Sequence, residues 1–272
     1  MLIIGEKING TLPRVAEAIR NRDGIFIQEL ARAQVEAASD YLEVNAGTPP
    51  DREPDDLAWL VDTVQVVVDV PLSLDSANPA ALSAALQRVA RTPLINSISG
   101  ERARLQTVLP LAQAYGCPVI ALLLDDEGIP GEVEGRLAVA RKLLAATRAA
   151  GMSDGSVFID PLVMAIATNS KGGATALEVM RAVRAQFPEV KLSIGLSNVS
   201  FGLPARRLIN RAFLVLALGA GVDAAVMDPL DGELQSLRLA AEAVVGLDPH
   251  CRAYTTAYRA GRLAPALPNM AG

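Results

Sequence analysis

The chain has 272 residues, of which 51% are hydrophobic and 20% are charged, so it carries enough apolar material for one large folded core and is not a disordered chain. Its formal net charge is −5, and its lysines and arginines are scattered along the sequence, which argues against nucleic-acid binding. With two cysteines and one histidine, it cannot assemble a zinc site from Cys and His ligands.

Eight short apolar runs alternate with longer segments and predict eight strands. Each run is nearly continuous in its apolarity, which is typical of buried parallel strands. In chain order the predicted strands are residues 2–9, 41–45, 71–75, 93–97, 119–125, 157–160, 192–198 and 224–228. No apolar run approaches about 18 residues and no signal-peptide pattern is present, so we expect a cytoplasmic protein without a membrane partner.

The segments between the strands place apolar residues at three- and four-residue spacing, which predicts amphipathic helices. The first segment, 13–39, is expected to break near Arg22-Asp23-Gly24. Pro110 indicates that the helix after the fourth strand either starts late, with the proline in its first turn, or is kinked there. The other predicted helices are 54–68, 79–90, 134–150, 174–187, 205–218 and 232–245. Glycines expected at left-handed helix C-caps are Gly116, Gly151 and Gly221.

Eight alternations of strand and helix favour an α/β fold of the (β/α)8 TIM-barrel type over residues 1–250, followed by a C-terminal tail at 251–272. A doubly wound open sheet is the second possibility. It normally has a glycine-rich phosphate turn after the first strand, and Gly5-Glu6-Lys7-Ile8-Asn9-Gly10 does not match GxGxxG. The tail is expected either to pack at a dimer contact or to be loose.

Polar side chains end every predicted strand, and a barrel brings those ends together around one mouth. They are Glu6, Asn9, Glu43, Asn45, Asp75, Asn96, Asp125, Asp160, Asn198 and Asp228. For Asp125 and Asp228 a turn role is as plausible as a site role. Asp75, Asp160 and Asp228 have the chemistry to hold a magnesium ion, but the interleaved asparagines favour a planar organic ring, such as a pterin with its guanidine-like edge.

At these residues the sequence resembles the methyltetrahydrofolate:corrinoid methyltransferases, the family that includes the acetogen enzyme acting on the corrinoid iron-sulfur protein and the folate domain of cobalamin-dependent methionine synthase. The resemblance extends over nearly the whole chain. The matching segments are Ile4-Gly5-Glu6-Lys7-Ile8-Asn9-Gly10, Leu42-Glu43-Val44-Asn45-Ala46-Gly47, Leu74-Asp75-Ser76, Ile95-Asn96-Ser97, Ile159-Asp160-Pro161-Leu162, residues 195–204 and Asn210-Arg211-Ala212-Phe213-Leu214.

The resemblance implies a pterin-binding barrel in which Asp75, Asn96 and Asp160 hold the heterocycle and Asn198 forms a hydrogen bond near N5. Arg206 is similar in position to a family arginine near the folate, although a solvated residue at a helix start is an equal alternative. Loss of a methyl group leaves negative charge on N5, so Asn198 is the expected catalytic residue, sharing that charge as it develops. The sequence offers no certain proton donor, and a water relay is one possibility.

The resemblance also implies a substrate, methyltetrahydrofolate, and a cobalamin (corrinoid) cofactor that a separate protein carries. The nearest approach to the corrinoid-binding motif DxHxxG is Asp248-Pro249-His250-Cys251-Arg252-Ala253, which ends in alanine, so His250 is not expected to bind cobalt. Phe201 resembles the methionine synthase side of the family, which leaves the corrinoid partner open. We expect a homodimer and no bound metal in the barrel.

Two other functions remain open at this point. A dihydropteroate synthase shares the pterin-binding barrel, but its Asp-Ser-Phe-Ser-type loop after the first strand and its terminal Ser-x-Arg-type motif are absent from this sequence. A non-catalytic folate-binding subunit would use the same pocket residues, so the sequence barely separates it from an enzyme.

Overall fold

A computed structural model describes residues 1–263 as eight parallel strands that close into a barrel in the order β1 to β8, surrounded by α-helices. The strands are β1 (Leu2–Asn9), β2 (Tyr41–Asn45), β3 (Leu72–Asp75), β4 (Leu94–Ser99), β5 (Val119–Leu122), β6 (Val157–Asp160), β7 (Lys191–Gly195) and β8 (Ala224–Met227). The helices are α1 (Pro13–Asn21), α2 (Gly24–Glu36), α3 (Glu53–Gln65), α4 (Pro79–Leu86), α5 (Arg102–Thr107), α6 (Leu109–Tyr115), α7 (Val133–Ala149), α8 (Gly172–Gln186), α9 (Arg206–Gly219), α10 (Gly232–Val244) and α11 (Arg252–Arg259).

The predicted (β/α)8 barrel is therefore confirmed, together with three local details. The break near Arg22 separates α1 from α2, and Asp23 begins α2 by accepting a hydrogen bond from the Phe26 amide. Pro110 lies in the first turn of a separate helix, α6, where its missing N–H leaves no helical bond unmade. The three predicted C-cap glycines have positive φ angles of 64°, 77° and 91°.

Two strands, β5 and β7, end three residues earlier than the sequence predicts. β7 stops at Gly195, and residues 196–198 belong to a 3-10 turn, Leu196–Ser200, so Asn198 lies beyond the strand. β5 stops at Leu122, because Asp125 closes a turn with Gly128 through reciprocal backbone hydrogen bonds. In both segments the apolar run continues past the end of the strand. Apolarity alone therefore does not indicate where the strand ends.

The interior of the barrel has an apolar floor beneath a polar layer. Leu94 on β4 and Phe158 on β6 belong to a buried cluster that also includes Ile4, Ile120 and Ala224. Because side chains alternate between the faces of a strand, Asn96 and Asp160, two residues further along, point to the same inner face. The register also pairs Asp75 of β3 with Asn96 of β4. The polar side chains thus lie on the inner face at the carboxyl ends of the strands.

A larger apolar core fills the space between the sheet and the helices, and it includes most of the fully buried Leu, Ile and Val side chains. No helix within residues 1–263 has the length and apolarity needed to cross a membrane. In the segment that the sequence assigned to a tail, residues 252–259 form α11, and Ala257 of this helix is buried. The prolines at 265 and 268 and the terminal Gly272 lie outside the described residues.

Candidate functional site

Four polar side chains on β2, β3 and β4 form hydrogen-bonded pairs at the barrel mouth. Nδ2 of Asn45 donates to Oδ2 of Asp75 at 2.9 Å, and Nδ2 of Asn96 donates to Oε1 of Glu43 at 3.0 Å. Each amide nitrogen is therefore committed to a carboxyl group, which orients the amide carbonyl away from it. The carbonyl oxygen of Asn45 is buried and has no hydrogen-bond partner among the described residues.

Burial dominates the electrostatics of this group. Glu43 is 3% exposed, and desolvation followed by the negative charges of Asp75 and Glu6 raises its pKa well above the ordinary value. Desolvation also raises the pKa of Asp75, although the hydrogen bond from Asn45 partly opposes the shift. A ligand that offers N–H donors to these groups would relieve the desolvation.

Asp160 ends β6 and is 8% exposed. Burial raises its pKa to about 6, while backbone N–H groups of Leu162 and Gly195 and the positive charge of Arg136 oppose the increase. The Leu162 amide donates to Oδ1 of Asp160 at 2.7 Å. The carboxyl group is therefore held in place, with a pKa raised to about 6.

Asn198 lies in the 3-10 turn after β7 and is exposed to solvent. Its side-chain amide has no hydrogen-bond partner within residues 1–263, and it folds back over Gly195. A Cβ atom at position 195 would lie 2.8 Å from Nδ2 of Asn198. The backbone N–H of Gly195 also opposes the increase in the pKa of Asp160, so this glycine lies next to both predicted site residues.

Arg206 begins α9 and braces the turn that carries Asn198. Its guanidinium donates through Nε to Oγ of Ser200 at 3.1 Å and through an Nη atom to the carbonyl oxygen of Ser197 at 2.7 Å. It also lies over the ring of Phe201, 5.7 Å from the centroid. The two hydrogen bonds flank Asn198 on both sides, so Arg206 supports the turn in addition to facing the mouth.

A cavity of about 340 Å³ opens beside these residues, between β1, β8 and the start of α9. Glu6 lines it and accepts a hydrogen bond from Oγ of Ser197 at 3.2 Å, and burial raises the pKa of Glu6. Lys7 and Asp228 form an ion pair across the cavity, with Nζ 2.9 Å from Oδ2. A partly buried carboxyl group with a raised pKa thus lies next to the turn bearing Asn198.

Three members of the predicted polar ring have turn roles. Oδ1 of Asn9 accepts from Thr11, Oδ1 of Asp125 accepts from the Glu127 amide, and Oδ1 of Asp228 accepts from the Leu230 amide. Within residues 1–263 no group of three or more His, Cys, Asp or Glu side chains is arranged to hold a metal ion. The inner carboxylates alternate with asparagines and a lysine.

Sequence reasoning did not assign roles to several residues that shape the site. Glu43 and Asn45 were recognised only as polar strand ends, although their two-residue spacing on β2 places both side chains on the inner face with Tyr41. The sequence contains no local signal for the support that Arg136 gives to the segment after Asp160, because Arg136 on α7 lies 24 residues before Asp160 in the chain. Tertiary contacts alone reveal such residues.

Comparison with known proteins gives a consistent result. A family model described as pterin binding enzyme matches residues 15–228. A methylcorrinoid:tetrahydrofolate methyltransferase from Eubacterium limosum is 37% identical over 267 residues, which is 97% of this chain and 98% of that protein. A methionine synthase from Mycobacterium leprae is 29% identical over 240 residues, and this chain spans only 20% of its length.

Solved structures with a similar fold include dihydropteroate synthases. The enzyme from Clostridium difficile, determined in the presence of pteroic acid, superimposes with a TM-score of 0.70 at 16% identity and covers 90% of this chain and 96% of its own. The enzyme from Yersinia pestis, with a pterine-sulfa conjugate, gives a TM-score of 0.68 at 18% identity, covering 90% of this chain and 93% of its own. At these identities the similarity concerns the fold alone.

Proposed function

The chain belongs to the pterin-binding enzyme family, and on this premise we propose that it is a methyltransferase that moves a methyl group between N5 of tetrahydrofolate and a corrinoid held on another protein. The match along 97% of the chain to a methylcorrinoid:tetrahydrofolate methyltransferase is the observation that carries the proposal. It agrees with the family resemblance of the strand-end residues. We expect the reaction to take place in the cytoplasm, as part of one-carbon metabolism.

Folate binding is assigned to Asp75, Asn96 and Asp160 on the inner face of the barrel. An ionised carboxylate accepts two parallel N–H bonds, which matches the amino and ring N–H groups at the pterin edge. Asn96 supplies a carbonyl oxygen, because the hydrogen bond from its amide nitrogen to Glu43 fixes the orientation of the amide. Asn45 fixes Asp75 in the same way, so the ring would enter a prearranged set of acceptors.

Asn198 is assigned to N5. Its amide is free of protein partners among the described residues, which leaves it available to a substrate. As the bond between N5 and the methyl carbon breaks, the electron pair stays on nitrogen, and an amide N–H stabilises that charge. In the opposite direction, the amide carbonyl accepts a hydrogen bond from the N5–H of tetrahydrofolate while nitrogen attacks the methyl group, and the proton then leaves N5 for solvent. One side chain can therefore serve both directions of transfer.

The proton that N5 gains or loses requires a nearby acid or base. Glu6 accepts a hydrogen bond from Ser197, the neighbour of Asn198, and burial raises its pKa, so it favours the protonated form more than an exposed glutamate does. We propose Glu6 as the group that exchanges this proton through solvent in the adjoining cavity. This extends the sequence analysis, which found no certain donor.

The corrinoid supplies the cobalt centre that accepts or donates the methyl group, and we propose that a partner protein brings it to the barrel mouth. His250 and Cys251 follow α10, which runs from the carboxyl end of β8 back to the opposite end of the barrel, where the amino group of Met1 pairs with Glu242. Neither residue can reach a corrinoid at the mouth. The open mouth, with Phe201 67% exposed, is available to the partner.

The direct test mixes the protein with methyltetrahydrofolate and free cob(I)alamin in a stopped-flow spectrometer, and in a second arm with tetrahydrofolate and methylcobalamin. We expect the absorbance of methylcobalamin to appear in the first arm and to disappear in the second. The Eubacterium limosum relative is named for the second direction, so the ratio of the two rates is informative. Folate binding without transfer in either arm would contradict the proposal and support a binding subunit.

A dihydropteroate synthase activity is the alternative, and it rests on a shared fold at under 20% identity. To distinguish this activity from methyl transfer, the same protein preparation is incubated with a dihydropterin pyrophosphate and p-aminobenzoate. Formation of dihydropteroate would replace the methyltransferase proposal, whereas we expect none.

We further propose that the protein forms a homodimer through the outer face of α9. Exposed apolar side chains recur at three- and four-residue spacing along this helix, at Leu208, Ala212, Val215 and Leu216. An exposed apolar stripe of this kind indicates a protein interface. In a dimer with twofold symmetry, the stripe of one subunit packs against the same stripe of the other subunit. Light scattering should give a dimer for the native protein and a monomer for Leu216→Glu. Val66→Glu, at an exposed site at the end of α3, is the control.

A further inference from the structure

Arg136 is a buried arginine on α7 that forms no ion pair within residues 1–263. It is 2% exposed, and burial lowers its pKa. Its guanidinium donates through Nε to the carbonyl oxygen of Pro130 at 2.9 Å and through Nη1 to the carbonyl oxygen of Leu162 at 2.9 Å, with a further short contact to the carbonyl of Pro161. All three acceptors are neutral backbone groups, so the charge of Arg136 is not neutralised by a direct partner.

Two of these acceptors form the turn that follows Asp160. Leu162 has φ of +60°, a left-handed conformation that a leucine rarely adopts without support from its surroundings. In this conformation its N–H points back and donates to Oδ1 of Asp160 at 2.7 Å. Arg136 holds the carbonyl groups on both residues of the turn, and therefore fixes the N–H that orients Asp160.

The charge of Arg136 acts on the same carboxyl group. Among the groups that surround Asp160, Arg136 supplies the positive charge, while β7 contributes the N–H of Gly195 and the turn contributes the N–H of Leu162. The partner of Asp160 on β5 is Leu122, which is apolar. The N–H groups of Arg136 donate to carbonyl oxygens and not to the carboxylate of Asp160. Arg136 therefore attracts Asp160 by its charge and leaves the carboxylate oxygens available to a pterin.

We propose that Arg136 is a positioning residue for the folate site, which aims the carboxylate of Asp160 through the Pro161-Leu162 turn and keeps that carboxylate ionised by its charge. The proposal rests on the assignment of Asp160 to the pterin. It predicts that the geometric and electrostatic contributions of Arg136 can be separated, because a lysine retains the charge but cannot bridge three carbonyl groups.

The first measurement needs no folate. The titration of Asp160 is followed in the free protein by carboxyl carbon NMR, with its signal assigned by its loss in Asp160→Asn. We expect a midpoint near 6 in the native protein, as burial dictates. Arg136→Met should raise the midpoint by roughly half a unit to one unit, since a nearby cation favours the charged form, and Arg136→Lys should leave it nearly unchanged. An unchanged midpoint in Arg136→Met would overturn the electrostatic part.

The second measurement is the dissociation constant of methyltetrahydrofolate between pH 5 and pH 8. Arg136→Met should bind more weakly and lose affinity at a higher pH than the native protein, whereas Arg136→Lys should bind more weakly with the native pH profile. Equal affinity in Arg136→Lys and the native protein would overturn the geometric part. Arg148, on the same helix as Arg136, forms a surface ion pair with Asp154 in the turn after the helix. Arg148→Met is therefore the control and should change neither quantity.

The two measurements separate this proposal from the proposed function. If the native protein fails to bind folate but Arg136→Met still shifts the Asp160 titration, the assignment of the pterin is wrong and the coupling between Arg136 and Asp160 stands. Thermal unfolding of each variant shows whether a change in affinity arises from loss of the fold. Arg136→Lys provides a folded variant if removal of the buried guanidinium in Arg136→Met leaves the three carbonyl groups without a donor and unfolds the protein.

Discussion

The side-chain amide of Asn198 packs directly against the Cα of Gly195, so closely that a methyl group there would lie 2.8 Å from Nδ2. The backbone of Gly195, with φ of −80°, suits any L-amino acid, so the requirement for glycine comes from the asparagine alone. We expect Gly195→Ala to displace the amide and to lower the single-turnover rate of methyl transfer by about tenfold or more, with little effect on folding. Gly219→Ala, at a site with open space around it, should retain the native rate.

Removing the amide itself should lower the rate further. Asn198→Ala eliminates a donor that acts on developing charge, and loss of one such donor typically reduces the rate by about 10². Folate affinity should change only a fewfold, because the ring is held elsewhere. Stopped-flow single turnovers with saturating folate measure the rate, and Asn169→Ala on the loop after β6 serves as an exposed asparagine control. A native rate in Asn198→Ala would exclude Asn198 from the mechanism.

Replacing Asp160 by asparagine should stabilise the empty protein while it weakens folate binding. The unfolded chain loses the Asp160 proton near pH 4 and the native protein near pH 6, so native stability falls as the pH rises through this window. At pH 7 this loss of unfolding free energy amounts to at most about 3 kcal/mol. Asp160→Asn should remove the loss, because the side-chain carbonyl of the asparagine still accepts the hydrogen bond from Leu162. Urea unfolding at pH 4 and pH 7 checks this prediction. An equal gain at both values would contradict it.

The same titration predicts a pH dependence of binding. On the proposed assignment, pterin N–H groups bind the ionised carboxylate of Asp160, so affinity for methyltetrahydrofolate should fall by up to about tenfold per pH unit below 6 and level off above 7. Isothermal titration calorimetry across this range provides the measurement. Asp160→Asn should bind weakly at every pH, and a native-like pH profile in that variant would assign the dependence to another group.

The two interpretations of Arg206 can also be separated. Its hydrogen bonds to Ser197 and Ser200 brace the turn around Asn198, so Arg206→Ala should lower the transfer rate more than the folate affinity. A direct contact with the folate would instead reduce affinity first. The comparison of kcat with the dissociation constant decides between them, and Arg207→Ala, the exposed neighbour on α9, is the control.

The eightfold alternation of apolar strands and amphipathic helices was sufficient to predict the barrel, because each strand is buried on both faces and each helix on one. The positions of Asp75 and Asp160 at strand ends could be predicted for the same reason. Asn96 lies beside Asp75 in the register, but β4 continues beyond it to Ser99, past the predicted end of the strand. The orientation of Asn198 could not, since the apolar run 192–198 conceals the end of β7 at Gly195. Neither could the contacts of Arg136, which depend on how α7 packs against the loop after β6.

Four carboxyl groups lie around one mouth, and burial raises the pKa of each: Glu6, Glu43, Asp75 and Asp160. The unliganded barrel is therefore held in an electrostatically unfavourable state. A folate that satisfies these acceptors completes the interior much as a missing side chain would. Ligand-induced resistance to heating should therefore be greatest near neutral pH, and should diminish in acid, where protons take over the same task.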